Sequence, residues 1–325
     1  MAVKTVLIKG TNSQDMARQA REALAGFQPK LLLFFASSVY EHPEAALKEA
    51  FPNSEVIGST SHSEYCNATF TSGAVSILAA DQESVEDVCV RVVENISTEP
   101  DLKAVLEDMH NYYGGVDQVI NNYESYVGLV IFESSAKSEE VFMDRLGTVT
   151  DLLFVGGSSS AADSGQSLVY ANGQSYSGAA VLAILKTVNG YDVFKTQSAH
   201  ILSERKLLVT KSDMRNRILY EFDGRPCGEV YAEVLGVPQD EIQNYFVSNP
   251  LGVVADGEIF VRTFNQIQDG GITLHCGLPE GTEINVLKIG NIVDDTKKAL
   301  DQAITYQPAG LINFNCLYRT LEIQN

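Results

Sequence analysis

One pattern of residues recurs along the chain and limits the folds open to it. Pro29-Lys30-Leu31-Leu32-Leu33-Phe34-Phe35-Ala36-Ser37-Ser38 is an apolar run that ends in two small polar residues. Tyr126-Val127-Gly128-Leu129-Val130-Ile131-Phe132-Glu133-Ser134-Ser135 repeats it, with Ser134 standing 97 positions after Ser37. Apolar runs without polar alternation belong in a sheet covered on both faces. A helical pattern follows each run. Pro43 suits the opening turn of the first helix, where its missing amide would have had no partner. Ser138 is placed to cap the second, whose apolar stripe is Val141, Phe142 and Leu146. Each helix leads to a second apolar strand and a small-residue loop, Val56-Ile57-Gly58-Ser59-Thr60-Ser61 and Leu153-Phe154-Val155-Gly156-Gly157-Ser158-Ser159-Ser160. Third strands are expected at 73–78 and 178–183, and the second copy inserts a hairpin with Asn172-Gly173 at its turn. Strands alternating with helices define an α/β protein.

The flanking segments extend this reading. Thr5-Val6-Leu7-Ile8 reads as a strand, followed by a helix capped at Asn12 or Ser13 with Met16, Ala20, Ala23, Leu24 and Phe27 on one stripe. Near the other end, Pro308-Ala309-Gly310-Leu311-Ile312-Asn313-Phe314-Asn315-Cys316-Leu317 aligns with residues 29–38 and puts Cys316 in the place of Ser37. The sequence stops at Asn325, inside the helix that should follow, so this third copy reads as truncated. The material between is different. A strand at 218–222 runs into an Asp223-Gly224 turn, and a helix is expected over 227–235. Short apolar runs follow at 246–247, 251–254, 258–263, 271–274 and 282–289, separated by Gly-containing turns, which predicts an antiparallel meander. A helix over 293–304 closes the segment. The stretch 204–217 marks the boundary, giving domains 1–213, with two internal repeats, and 214–325.

Composition excludes several functions. Forty-two acidic residues against 23 Lys and Arg leave a formal charge of −19 over 325 residues. A nucleic-acid binder needs a basic footprint, and an anionic membrane surface would repel this chain. No apolar run approaches the ~18 residues of a spanning helix. Cys66, Cys89, Cys227, Cys276 and Cys316 are widely spaced with no C-x-x-C pair, which reads as reduced thiols in the cytoplasm. Neither a zinc pattern nor a Walker-A loop is present, and no cofactor is called for.

In α/β sheets, ligands settle outside the carboxyl ends of strands. The repeat puts Ser37, Ser38, Ser134, Ser135 and Cys316 at such ends, and Ser59, Thr60, Gly156, Gly157 and Ser158 at others. Small residues let backbone amides approach a bound group, and hydroxyls supply adjustable donors and acceptors. Arg262, in the run Ile259-Phe260-Val261-Arg262, and Arg319 offer guanidinium forks for a ligand carboxylate. Glu133 could meet a ligand amine, and pairing it with Arg262 would hold both ends of an amino acid.

Several motifs resemble those of FIST-domain proteins. In the C-terminal half these are Leu219-Tyr220-Glu221-Phe222-Asp223-Gly224-Arg225-Pro226, Asn249-Pro250-Leu251-Gly252, Val261-Arg262, Gly277-Leu278-Pro279-Glu280-Gly281-Thr282 and Phe314-x-Cys316-x-x-Arg319. In the N-terminal half they are Val56-Ile57-Gly58-Ser59-Thr60 and Phe154-Val155-Gly156-Gly157-Ser158. The first loop departs from the family pattern Gly-Cys-Ser-Thr-x-Gly-Glu, because 58–64 has neither its Cys nor its second Gly. The resemblance implies a bacterial sensory module that binds small molecules, amino acids among them. Its partners would be output proteins such as a histidine kinase, a chemotaxis receptor or a cyclic-dinucleotide enzyme. It implies an alternative as well, a haem-bound nitric-oxide sensor, for which His62 is the best placed axial ligand. A hydrolase or transferase using Ser or Cys316 is the competing enzyme reading, against which no Ser-His-Asp order can be assembled.

Overall fold

The computed structural model describes residues 2–161 and 165–324, which separate into two compact units. The first comprises Met1–Val193 with Gln307–Phe314, and the second Phe194–Tyr306 with Asn315–Asn325.

The first unit contains two sheets with one plan. Strand β1 (Val3–Ile8) leads through α1 (Ser13–Ala23) to β2 (Leu31–Ser37), then through α2 (Pro43–Ala50) to β3 (Glu55–Ser61). After a hairpin of β4 (Glu64–Cys66) and β5 (Thr69–Thr71) the chain enters β6 (Val75–Ala80). The plan then recurs: β7 (Val85–Val93), α3 (Leu102–Tyr112), α4 (Val116–Ile120), β8 (Tyr126–Phe132), α5 (Glu139–Val149), β9 (Phe154–Ser158), a hairpin of β10 (Val169–Ala171) and β11 (Gln174–Tyr176), and β12 (Ala180–Thr187). The first sheet runs β1-β6-β2-β3-β10-β11 and the second β7-β12-β8-β9. In each, a parallel pair (β2 with β3, β8 with β9) lies beside an antiparallel neighbour (β6, β12). The hairpin of the second copy lays β10 antiparallel along β3, so it completes the sheet of the first.

Side-chain direction explains why the central strands are apolar throughout. Leu31 and Leu33 join Val127, Leu129, Ile131, Val181 and Ala183 in a core between the two sheets. The alternate residues Leu32, Phe34 and Ala36 face outward against Met16 and Ala20 of α1, Leu24 just after it and Leu47 of α2. Tyr126, Val130 and Phe132 do the same against Leu106, Met109, Val119, Phe142 and Leu146 of α3, α4 and α5. The unit is therefore a helix–sheet–sheet–helix sandwich. Each fully buried Leu or Phe contributes about 1.5–3 kcal/mol from either face of its strand.

The strand register also corrects the spacing of the repeat. Phe34 lies opposite Gly58 and Val130 opposite Gly156, while Ala36 lies opposite Val75 and Phe132 opposite Ala180. Equivalent strand residues are thus 96 positions apart. The 97-position alignment sets Leu32, on the helix side, against Leu129, on the sheet side, and a one-residue slip always exchanges faces this way. The structural counterpart of Ser37 is Glu133. Both amides donate to the carbonyl just before the third strand, Ser37 to Ala74 and Glu133 to Ala179, each at 2.9 Å.

In the second unit, β13 (Ala199–Ile201), β14 (Leu207–Asp213), β15 (Ile218–Phe222), β16 (Arg225–Pro226), β17 (Leu251–Ala255), β18 (Glu258–Arg262), β19 (Phe264–Gln268), β20 (Gly271–Leu274) and β21 (Glu283–Ile289) form an antiparallel sheet. It encloses α6 (Cys227–Leu235), whose Val230 and Tyr231 pack with Phe222, Phe246 and Phe264. Helices α7 (Ile292–Ala303) and α8 (Leu317–Gln324) follow. The expected strand at 246–247 does not form. Phe246 follows a 3₁₀ turn at Gln239–Tyr245 and stacks on Phe264, with centroids 4.5 Å apart. Residues 207–213, read as boundary material, are a strand paired with β15 and β21. The third apolar run forms no strand either. Residues 308–316 carry no regular structure, and Ile312 and Phe314 pack against the core between the two sheets. That segment takes part by side-chain insertion rather than by backbone pairing.

Candidate functional site

A cavity of ≈190 Å³ opens beside the carboxyl ends of β2 and β3 in the first unit. Ser38 just beyond β2 and Thr60 in β3 line it, and the hairpin brings Leu168 and Tyr170 to its side. Thr60 is held in place from both directions. Its Oγ1 accepts from the Leu168 amide at 3.0 Å, and its own amide donates to the Leu168 carbonyl at 3.0 Å. Tyr170 stacks on Phe34 with centroids 5.4 Å apart and planes 13° apart. Tyr40, also in the lining, accepts from the Gly10 amide at 3.0 Å, which ties the cavity wall to the start of α1.

Glu44 distinguishes this cavity. Its side chain is 3% exposed, and its Oε2 is buried with no hydrogen-bond partner. Its Oε1 lies 3.3 Å from Nδ1 of His42, whose ring is 78% exposed. The reason for the burial is local. Glu44 lies in the first turn of α2 on the same stripe as Leu47 and Phe51, three and seven positions on, so the helix presses it inward with its apolar neighbours. His42 precedes the helix at φ 50° and ψ 49°, a left-handed conformation that costs a non-glycine residue about 1–2 kcal/mol. Proline also disfavours helical backbone in the residue before it. The left-handed His42 thus stands two residues before the stranded carboxylate. Glu41 joins Glu44 in the lining, and among the described residues no Lys or Arg does. The cavity therefore favours a positively charged group. Burial, and secondarily the Glu44 charge, pushes the Tyr170 phenol well above its ordinary range, so Tyr170 stays neutral.

The structure brings only Ser38 and Thr60, of the expected site residues, to this cavity. Ser37 and Ser59 are buried in the strands. His62 is exposed in the turn after β3. At the end of β8, Glu133 is fully buried and already satisfied. It accepts from the Ser135 amide at 2.8 Å, the Ser135 hydroxyl at 2.7 Å and the Gly178 amide at 3.0 Å. Its role there is to tie the end of β8 to the start of β12. The Ser134 hydroxyl lies 2.9 Å from that of Ser167, and the Ser158 hydroxyl donates to Glu139 at 2.9 Å. Gly156 has no room for a side chain because a Cβ would fall on the Val130 carbonyl oxygen of the paired strand. Strand contact therefore explains that glycine without a ligand. Gly157 faces the Phe314 ring, 3.5 Å from where its Cβ would stand.

In the second unit Arg262 donates to the Val261 carbonyl at 3.2 Å. Arg319 is used up in holding α8. It donates to Asn315 Oδ1 at 3.1 Å, to the Thr196 carbonyl at 3.0 Å and hydroxyl at 3.1 Å, and to the Thr296 hydroxyl at 3.0 Å. Cys316 is an exposed free thiol at the start of that helix. Among the described residues no group of three or more His, Cys, Asp or Glu is placed to hold a metal ion. No helix among them is long and apolar enough to cross a membrane.

Sequence reasoning missed Glu44, Tyr40, His42 and Tyr170. The signal for Glu44 was present, an acid on the apolar stripe of a short helix directly after a strand end. Tyr170 was not visible in this way, because it reaches the cavity through a hairpin more than a hundred residues downstream.

Two family models match the chain: the FIST N domain over residues 30–225 and the FIST C domain over residues 228–325. The chain belongs to the FIST family. FIST domains are associated with sensing in signal transduction. A curated relative, the uncharacterized protein MJ1623 of Methanocaldococcus jannaschii, is 24% identical to this FIST protein over 201 residues. That match takes in 55% of this chain and 38% of the relative. No solved structure matches it.

Proposed function

We propose that this FIST protein is a sensory module that binds a small ammonium-bearing ligand of the amino-acid class in the cavity at the ends of β2 and β3. The stranded Oε2 of Glu44 carries this reading. A buried carboxylate oxygen without a partner is costly, and a ligand amine would supply both the missing hydrogen bond and the opposite charge. Ser38 and the walls formed by Tyr40, Thr60 and Tyr170 set the size of the guest. At ≈190 Å³ the cavity lies below the roughly 300–1,000 Å³ of drug-sized sites and suits a compact metabolite. Signalling then follows from differential affinity, because a ligand that prefers one arrangement of α2 and its leading turn shifts the population toward it. An output protein of the histidine-kinase, chemotaxis-receptor or cyclic-dinucleotide class would read that shift.

A thermal-shift screen of amino acids and simple amines tests the proposal, run in parallel on the wild type and Glu44→Gln. A ligand at a hundred times its Kd stabilises by about 2.7 kcal/mol. For a unit of this size that amounts to a rise of roughly 5–10 °C in Tm. The rise should appear for one or a few amines and vanish in Glu44→Gln. A screen in which no amine-bearing compound gives a Glu44-dependent rise refutes the proposal.

A further inference from the structure

A second cavity, of ≈210 Å³, lies among the helices that cover the second sheet, between α3, α4 and α5. His110, near the end of α3, is 4% exposed and lines it. Its Nε2 is buried with no hydrogen-bond partner. Leu106 of α3, Val116 at the start of α4 and Val149 at the end of α5 form its apolar walls, and Asn111 of α3 also lines it. Lys103 and Glu107, 75% and 63% exposed, stand at the rim and face each other at 3.8 Å, so the charges there offset one another.

A buried imidazole normally has both ring nitrogens satisfied by protein or water. Here burial also holds the ring below its usual pKa, so it is neutral. A neutral ring presents Nε2 as a donor or as an acceptor according to its tautomer. A hydroxyl serves either case, because it both donates and accepts. Cavities of about 150 Å³ lined by aliphatic side chains accept a benzene ring. This one is slightly larger, and the stranded Nε2 of His110 is the buried polar atom in its wall that lacks a partner. We propose that the His110 cavity is a binding site for a small apolar molecule bearing one hydroxyl, of the phenol or branched-alcohol class. The hydroxyl meets Nε2 and the apolar body rests on Leu106, Val116 and Val149. This site shares no lining residue with the Glu44 cavity.

Phenol is the probe, titrated into the full chain while the histidine side-chain nitrogen resonances are followed by NMR. The expected result is a saturable shift of the His110 Nε2 resonance. Toluene, of the same shape without the hydroxyl, should bind about tenfold more weakly for want of one hydrogen bond. Val116→Trp closes the mouth at a position that is 52% exposed and tolerant of size, and it should abolish the phenol response with the circular dichroism unchanged. His110→Phe removes the nitrogen and should leave phenol and toluene binding alike. The proposal is overturned by any of three results: no saturable phenol response, equal affinity for phenol and toluene in the wild type, or an unaltered phenol response in folded Val116→Trp.

Discussion

Replacing Glu44 with Met should make the ligand-free protein more stable while removing its response to amines. Met matches the length of Glu and carries no strong polar group, so the substitution deletes the stranded oxygen without opening a hole. A buried polar group without a partner costs about 1–3 kcal/mol, and more when charged. Two favourable contributions are lost with the carboxylate. Its position in the first turn of α2 is worth about 0.3–1 kcal/mol against the helix dipole. The 3.3 Å contact with the exposed His42 ring is worth less than about 1 kcal/mol. The balance is a gain of about 1 kcal/mol, or roughly 2–4 °C in Tm for a unit of this size. Urea denaturation at neutral pH measures the first quantity, and thermal melts with and without the amine found by screening measure the second. A loss of more than about 1 kcal/mol would show that the fold uses this carboxylate, and the reasoning would fail. It would fail equally if Glu44→Met retained the wild-type shift with ligand.

Three further outcomes separate structural roles from ligand roles. Glu133→Ala strands the amides of Ser135 and Gly178, and should lower the urea-derived stability by about 3 kcal/mol without altering the amine response. Arg319→Lys cannot replace a fork that reaches Asn315, Thr196 and Thr296 at once. It should cost about 1–2 kcal/mol and speed hydrogen exchange in α8. Glu64 gives a pH signature. Burial raises its pKa above 4.5, against the lowering effect of bonds from the Ser61 hydroxyl and the Ala74 amide. Its contribution is then fully present below 4.5 and is lost as pH rises through the elevated folded value. Stability profiles of wild type and Glu64→Gln should therefore diverge upward from about pH 4.5, with the wild type losing relative stability. Parallel profiles would contradict the assignment.

The apolar runs at 29–38 and 126–135 were enough to read an α/β fold, because strands that carry no polar face have to be covered twice. Helices such as α6, and the turn at Asn172-Gly173, were legible for a similar local reason, since caps and turn residues act within a few positions. The register was not. Leu31 through Phe35 look alike in composition, and only pairing with β3 and β6 shows that the repeat spacing is 96 and that Glu133 stands where Ser37 does. Gly156 shows the same limit. Its smallness reads as room for a ligand until the Val130 carbonyl is seen to occupy the space.

The chain by itself determined that β-strands would alternate with helices, that acidic residues would outnumber basic ones by 19, and that small polar residues would gather at strand ends. All of these follow from local periodicity, charge count and turn chemistry. Tertiary structure alone decided which strand end became a cavity. The β10–β11 hairpin crosses to the first sheet and brings Tyr170 against Phe34, while α2 folds Glu44 inward beside it. The end of β8, with much the same residues, is closed by Glu133 satisfying its own neighbours. Hydrogen-bond satisfaction depends on partners distant in sequence, and one unsatisfied oxygen separates the two strand ends.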